Sequence, residues 1–151
     1  MPEITTTQDL AAPADTVWRL LADFGAIERW WPQDGPTPIE SVSIEGDGIG
    51  MVRHIQSVGV PRPVSERLDY LDPASRTLIL SIIGIRPPGI TAYVAEGRIE
   101  AIDASSCRMH YRALVTTEPG LEDQVRKGLL KTWARMFRGL EAAARQSQPA
   151  C

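Results

Sequence analysis

Residues 66–84 read ERLDYLDPASRTLILSIIG, two strand-like runs on either side of a turn. The turn is Asp72-Pro73-Ala74-Ser75. Pro73 presets φ, and the Asp72 carboxylate can accept a hydrogen bond from its own backbone two residues on. Before it, residues 64–71 alternate, which puts Glu66 on the face of Leu68 and Tyr70, with Arg67 and Asp69 opposite. After it, LILSII within residues 76–84 is nearly all apolar, as in a strand buried on one face and crowded on the other. The hairpin therefore belongs to an antiparallel sheet. It also raises a question, because a carboxylate shares the face that carries the apolar side chains.

The same period of two continues on both sides. Residues 3–10 form a weak edge strand, 39–45 carry Ile39, Val42 and Ile44, and EGDGIG turns the chain around Gly46 and Gly48. In residues 49–57, Ile49, Met51, Arg53 and Ile55 share one face. Residues 91–102 put Tyr93, Ala95, Gly97, Ile99 and Ala101 on one face, and 106–117 put Cys107, Met109, Tyr111, Ala113 and Val115 on one face. Seven strands result. Between the first two, Pro13, Asp15 and the spacing of Val17, Leu20, Leu21 and Phe24 predict a helix over 13–24, then a short one near 25–30 and a linker, QDGPTP. The strongest helix runs from Leu121 to about Arg145, with Val125, Leu129, Trp133, Met136, Phe137 and Leu140 in one stripe.

Composition sets the frame. The 151 residues fit one domain spanning 1–151, with 43% hydrophobic and 23% charged residues and a net charge of -3. That balance gives no electrostatic reason to expect nucleic acid. The apolar runs fall short of the roughly 18 residues a spanning helix needs, so no membrane insertion is expected. MPEITTTQDL has no basic and apolar signal pattern, and Cys107 and Cys151 form neither a disulfide framework nor a metal spacing. A cytoplasmic location is the expectation. No HExxH, CxxC, EF-hand or P-loop pattern occurs, so no metal and no cofactor is expected.

Seven antiparallel strands, two short helices after the first strand and a long last helix make an α+β fold. The economical way to bury both apolar faces is a curved sheet wrapped around that last helix. Ala95, Gly97 and Ala101 are too small to fill the space between them, which hints at a cavity.

The element order, the helix opening AAPADTVWRLLADF and the hairpin ERLDYLDPASRTLILSIIG resemble the SRPBCC superfamily of helix-grip proteins over essentially the whole chain. That group includes bacterial polyketide cyclase/dehydrase-like and lipid-transport-like proteins, START domains, birch-pollen-allergen-like proteins and the plant abscisic-acid receptors. The hairpin is most similar to the receptors, and the resemblance implies that Glu66 lines a ligand cavity. It also implies that Val125, Leu129 and Trp133 touch ligand, and that Ser57–Pro63 and Gly84–Gly89 are mobile entrance loops. Two departures argue against a hormone receptor. Gly35-Pro36-Thr37-Pro38 holds no counterpart of the receptors' pocket lysine, and Ile85-Arg86-Pro87-Pro88 replaces their His-Arg-Leu.

Two readings of Glu66 stay open. Arg53 lies one strand away, roughly diagonal, and a half-buried ion pair would satisfy both groups. Alternatively, Glu66 and Arg53, with Tyr93 and Tyr111, are the polar spots of an apolar cavity. The candidate ligand-binding set is Arg53, Ile55, Glu66, Ile82, Tyr93 and Tyr111 from the sheet, Val125, Leu129, Trp133 and Phe137 from the last helix, and Trp31 as a cap. If chemistry occurs, Glu66, Arg53 and Tyr111 are the catalytic candidates. His54 and His110 fall on the outward face, without a Ser or Cys and third partner that would suggest a triad.

Three functions remain. The first is binding of a small hydrophobic or aromatic molecule, lipid- or polyketide-like. The second is a polyketide cyclase, aromatase or dehydratase using the same cavity, and the third is a protein-interaction module with a filled core. The small inward residues favour binding. A homodimer is left open.

Overall fold

A computed structural model describes residues 2–147. The chain runs β1 (Glu3–Leu10), α1 (Ala14–Ala22), a 3-10 turn (Phe24–Arg29), β2 (Ile39–Glu45), β3 (Val52–Ser57), β4 (Val64–Asp72), β5 (Thr77–Ile83), β6 (Ile90–Asp103), β7 (Ser106–Thr117) and α2 (Glu122–Gln146). The strands form one antiparallel sheet in the order β1-β7-β6-β5-β4-β3-β2. From β2 onward each strand pairs with the next, so hairpins do most of the building. Residues 11–38, α1 included, carry the chain from one edge of the sheet to the other. This is the helix-grip architecture, with α2 held against the inner face.

Local chemistry explains the elements. The hairpin turn closes as the sequence predicts: Asp72 Oδ1 accepts from the Ala74 N–H at 3.1 Å and Oδ2 from the Ser75 hydroxyl at 2.6 Å. α1 starts after Pro13 and carries Asp15 in its first turn, where a carboxylate suits the helix N-terminus. α2 follows the same rule, with Glu122 and Asp123 at the start and Arg145 at the end.

Four expectations change. The strand expected at 49–57 begins only at Val52, because Gly48 and Gly50 hold positive φ of 63° and 95° and keep the chain turning. Ile49 is thereby left exposed. The short helix near 25–30 is a 3-10 turn, broken at Ala26 (φ -111°, ψ 37°). Tyr70 does not share the inward face with Glu66 and Leu68. Leu68 pairs with Leu80 but Tyr70 pairs with Ile79, so Asp69 is an extra residue, and the bulge turns Tyr70 outward, where it is 44% exposed. Ala101 sits beside a second irregularity near the end of β6 and is exposed, so it opens no cavity.

α2 packs against α1, β1 and β7. There Trp133, Phe137, Leu140 and Ala144 are fully buried with Val17, Met109 and Val115. Each large side chain so buried contributes about 1.5–3 kcal/mol. The opposite side is less closed. Val42 of β2, Ile55 of β3 and Val64 of β4, with Val125 and Leu129 on the first turns of α2, are only partly buried.

Candidate functional site

Arg53 and Glu66 are direct partners across β3 and β4, a closer arrangement than the expected diagonal. Opposed Cβ atoms in such a pair stand about 5 Å apart, within easy reach of both side chains. The guanidinium places Nε at 2.8 Å and Nη2 at 2.7 Å from the same carboxylate oxygen, Glu66 Oε1. Its third nitrogen, Nη1, donates to the Phe24 carbonyl at 3.0 Å, and its carbon lies 3.9 Å from the centre of the Phe24 ring. Arg53 is therefore immobilised on three sides. Its side chain is 5% exposed, whereas that of Glu66 is 16% exposed. Both Arg53 bonds converge on Oε1, and Oε2 takes part in neither. The cation is locked in the wall, while the anion keeps one oxygen for another partner.

Phe24 is the residue that sequence reasoning missed. Its helical spacing marks it as core, and nothing local reveals that its carbonyl, at the start of the 3-10 turn, accepts from a strand some thirty residues on.

Beside this pair stand two phenols. Tyr93 of β6 accepts a hydrogen bond from the Trp133 indole N–H at 3.2 Å. Tyr111 of β7 meets the edge of Trp133 at 4.8 Å between ring centres and that of Phe137 at 5.7 Å. The space left by Gly97 is taken by Tyr111, since a Cβ on Gly97 would lie 3.3 Å from its ring. Burial, then the neighbouring Tyr111 and the Glu66 carboxylate, push Tyr93 well above its ordinary value. Burial and the same carboxylate push Tyr111 up as well. Both phenols stay neutral at ordinary pH. They can donate hydrogen bonds but will not act as bases.

The sequence-predicted residues thus fall into three groups. Tyr93, Tyr111, Trp133 and Phe137 form one connected cluster, and the Arg53–Glu66 pair stands near enough for its carboxylate to raise both phenols. Ile82 pairs with Glu66 and is buried next to it, and Ile55, Val125 and Leu129 are partly buried side chains packed against the core. Gly89, at the end of the second loop, packs close to the start of α2: a Cβ there would lie 3.2 Å from Val125. Trp31 joins neither group. Its indole N–H donates to the Thr37 carbonyl at 2.9 Å, and its ring lines a separate groove on the far side of α2.

The outer face of the sheet holds a surprise at His54. The expectation of no serine and third partner fails: Nδ1 lies 2.7 Å from the Ser65 hydroxyl and Nε2 2.9 Å from Glu45 Oε1. Ser65 is the direct strand partner of His54, so sheet register alone brings them together. Glu45 is largely exposed, and the trio lies on the face opposite Arg53 and Glu66. It is a cross-strand polar ladder of the kind repeated by His110 with Glu100 and by Arg108 with Asp9. Among the described residues, no group of three or more His, Cys, Asp or Glu could hold a metal ion.

With this geometry in view, comparison with known proteins is informative. Residues 1–146 match the family model described as polyketide cyclase / dehydrase and lipid transport. The chain belongs to that family. Among solved structures, it resembles XoxI from Bacillus cereus, with a TM-score of 0.82 at 18% identity, covering 99% of this chain and 100% of that one. The Zhui aromatase/cyclase from a Streptomyces species gives 0.78 at 23% identity over 99% and 96% of the two chains. Norcoclaurine synthase from Thalictrum flavum, solved with dopamine and hydroxybenzaldehyde, gives 0.76 at 19% identity over 99% and 89%. At these identities the likeness establishes the fold. No curated protein matches. No helix among the described residues is long and apolar enough to cross a membrane.

Proposed function

We propose that this protein binds a small hydrophobic or aromatic molecule between the β2–β4 side of the sheet and the first turns of α2. The observation that carries the reading is the asymmetry of the ion pair. A purely structural pair would gain by closing both carboxylate oxygens onto the arginine, the bidentate geometry that Arg favours. Here Arg53 spends two nitrogens on Oε1 and its third on a backbone carbonyl. Glu66 Oε2 is left to orient a polar group of the ligand, with Ile55, Val125 and Leu129 as the apolar wall. The family membership and the aromatic ligands of norcoclaurine synthase support this ligand class. The buried, unpaired Cys107 fits the reducing compartment expected from the sequence.

The first test is native mass spectrometry of the purified protein, with extraction of any bound compound. With a ligand in hand, Glu66→Gln keeps the fold and weakens binding about 10- to 100-fold, the range of a hydrogen bond to a charged group. Unchanged affinity removes Glu66 from the site.

A second reading rests on the tyrosines. A ligand with an acidic C–H beside a carbonyl would find a carboxylate able to take the proton and a neutral phenol able to donate to the resulting enolate. The family description, polyketide cyclase / dehydrase, and a structural relative named an aromatase/cyclase point to the corresponding reaction class. Turnover of an aryl polyketone, lost in both Glu66→Gln and Tyr111→Phe, distinguishes it from binding alone.

A further inference from the structure

The far side of α2 carries a concavity, separate from the binding region proposed between sheet and helix. It is a groove of about 560 Å³ between the outer face of α2 and the segment from Arg29 to Gly35. That size falls within the roughly 300–1,000 Å³ typical of small-molecule sites. Its origin lies in one residue. A Cβ on Gly139 would lie 2.2 Å from the Trp30 carbonyl oxygen and 3.1 Å from the Pro32 ring. Only the missing side chain lets the segment touch the helix there.

The lining charges are unbalanced. Arg29, Arg135 and Arg138 face the groove against a single carboxylate, Asp34, in a chain whose net charge is -3. Arg29 already has a partner, Asp23, at 3.4 Å. Among the described residues, Arg135 and Arg138 take part in no salt bridge. They stand three residues apart, so one helix face presents both guanidinium groups to the same space.

Two tryptophans stand at the groove, and Trp30 is the inner one. The residue is 3% exposed, and its indole N–H is buried without a hydrogen-bond partner among the described residues. A buried donor left unpaired costs about 1–3 kcal/mol. Every other buried side-chain polar atom among the described residues is matched. Two guanidiniums without a salt bridge among the described residues call for acceptor oxygens. The Trp31 ring, 6.2 Å from Trp30 and tilted by 50°, offers a flat apolar surface alongside.

We propose that this groove binds an organic anion with a flat aromatic body and a phosphate or carboxylate group. Arg135 and Arg138 hold the charged group, for which the planar guanidinium fork is suited. Trp31 and Pro32 take the body. The site is independent of the cleft that contains Glu66, and neither requires the other.

The test is calorimetric titration of the full chain with 1-naphthyl phosphate, using neutral 1-naphthol for comparison. Saturable binding of the phosphate is expected, weakening as salt is raised. The double variant Arg135→Ala/Arg138→Ala should lower its affinity at least tenfold, while Glu66→Gln leaves it unchanged. Binding of 1-naphthol should be indifferent to the arginines. Absence of saturable binding, or equal binding by the double variant, overturns the proposal. So does loss of phosphate binding in Glu66→Gln alone, which would place the anion in the inner cleft. Should the double variant fail to fold, Ala142→Glu sets a carboxylate on the exposed groove wall and must weaken the phosphate by a similar factor.

Discussion

The two halves of α2 carry one continuous apolar stripe and put it to different uses. From the midpoint of the helix onward Trp133, Phe137, Leu140 and Ala144 are each at most 1% exposed, closed in by β1, β7 and α1. In the first half Val125 and Leu129, at the same helical spacing, remain partly exposed, as do Val42, Ile55 and Val64 on β2 to β4. The amphipathic pattern is the same throughout. What differs is whether another layer covers it. α1 and the 3-10 turn cap one end of the grip, and only the two loops around Val58 and Ile85 stand near the other. A stripe therefore marks what must leave water, and the rest of the fold decides whether protein or ligand covers it.

The largest effect expected from breaking this division is at Trp133, on the boundary. Trp133→Ala should cost about 3–5 kcal/mol of unfolding free energy, as for a fully buried aromatic. It also removes the hydrogen bond to Tyr93 and the edge contact to Tyr111. Leu129→Ala, one turn earlier, should cost less, about 1–2 kcal/mol, because that side chain is only partly buried. Ligand affinity should rank differently, with Leu129→Ala losing more binding than its stability change explains. Urea unfolding of both variants checks the first half of the statement. Equal stability costs would show the two halves to be one core.

A smaller effect comes from the phenols that separate the ion pair from the buried half. Tyr93 and Tyr111 have folded values raised above the ordinary 10.0. A raised folded value means the fold keeps protons that the unfolded chain gives up. The contribution is complete below about pH 10 and is lost as the pH rises through the folded values. Cys107, pushed by burial from 9.0 to about 11, adds a term of the same sign beginning near pH 9. Stability should fall above pH 10 with a slope approaching about 1.4 kcal/mol per pH unit for each tyrosine. Tyr111→Phe should remove one share of that slope. A flat profile in the unsubstituted protein would mean the phenols reach water, and that the open half extends further than the packing indicates.

The fold was legible in the sequence because its signals are local. Alternation around the Asp72–Ser75 turn, glycines in the β2–β3 turn and one long helical stripe suffice to order the elements. The faces were legible only where the ladder is regular. Asp69 inserts one residue into β4, and no propensity marks it, so Tyr70 turns outward against its parity. The site shows the same limit. Glu66 and Arg53 were visible as inward charges, since strand parity needs no tertiary information. The Phe24 carbonyl that fixes Arg53 and the groove beside Arg135 depend on which distant segments come to lie together, and the His54–Ser65–Glu45 ladder depends on the exact register of adjacent strands. Trp31 was misplaced for that reason: its type suits a cavity wall, but Gly139 docks its segment on the other side of the helix.

Two glycines on α2 give the smallest and most specific test of the comparison. Gly139, in the closed half, has the Trp30 carbonyl where a side chain would start, so α2 is locked there by backbone contact. Gly128, in the open half, would place a Cβ with nothing within 4 Å. Its residue is exposed, and its neighbours are ordinary helix formers. Nothing in the structure requires glycine at this position, while a mid-helix glycine costs roughly 0.5–1 kcal/mol relative to alanine. Gly128→Ala should therefore raise stability by about that amount, measured by thermal or urea unfolding, and leave inner-cleft ligand affinity unaltered. If the gain in stability comes with slower ligand entry, the first turns of α2 must loosen for the ligand to pass. Packing then leaves this half of the helix not only uncovered but movable, and the glycine is retained for that motion.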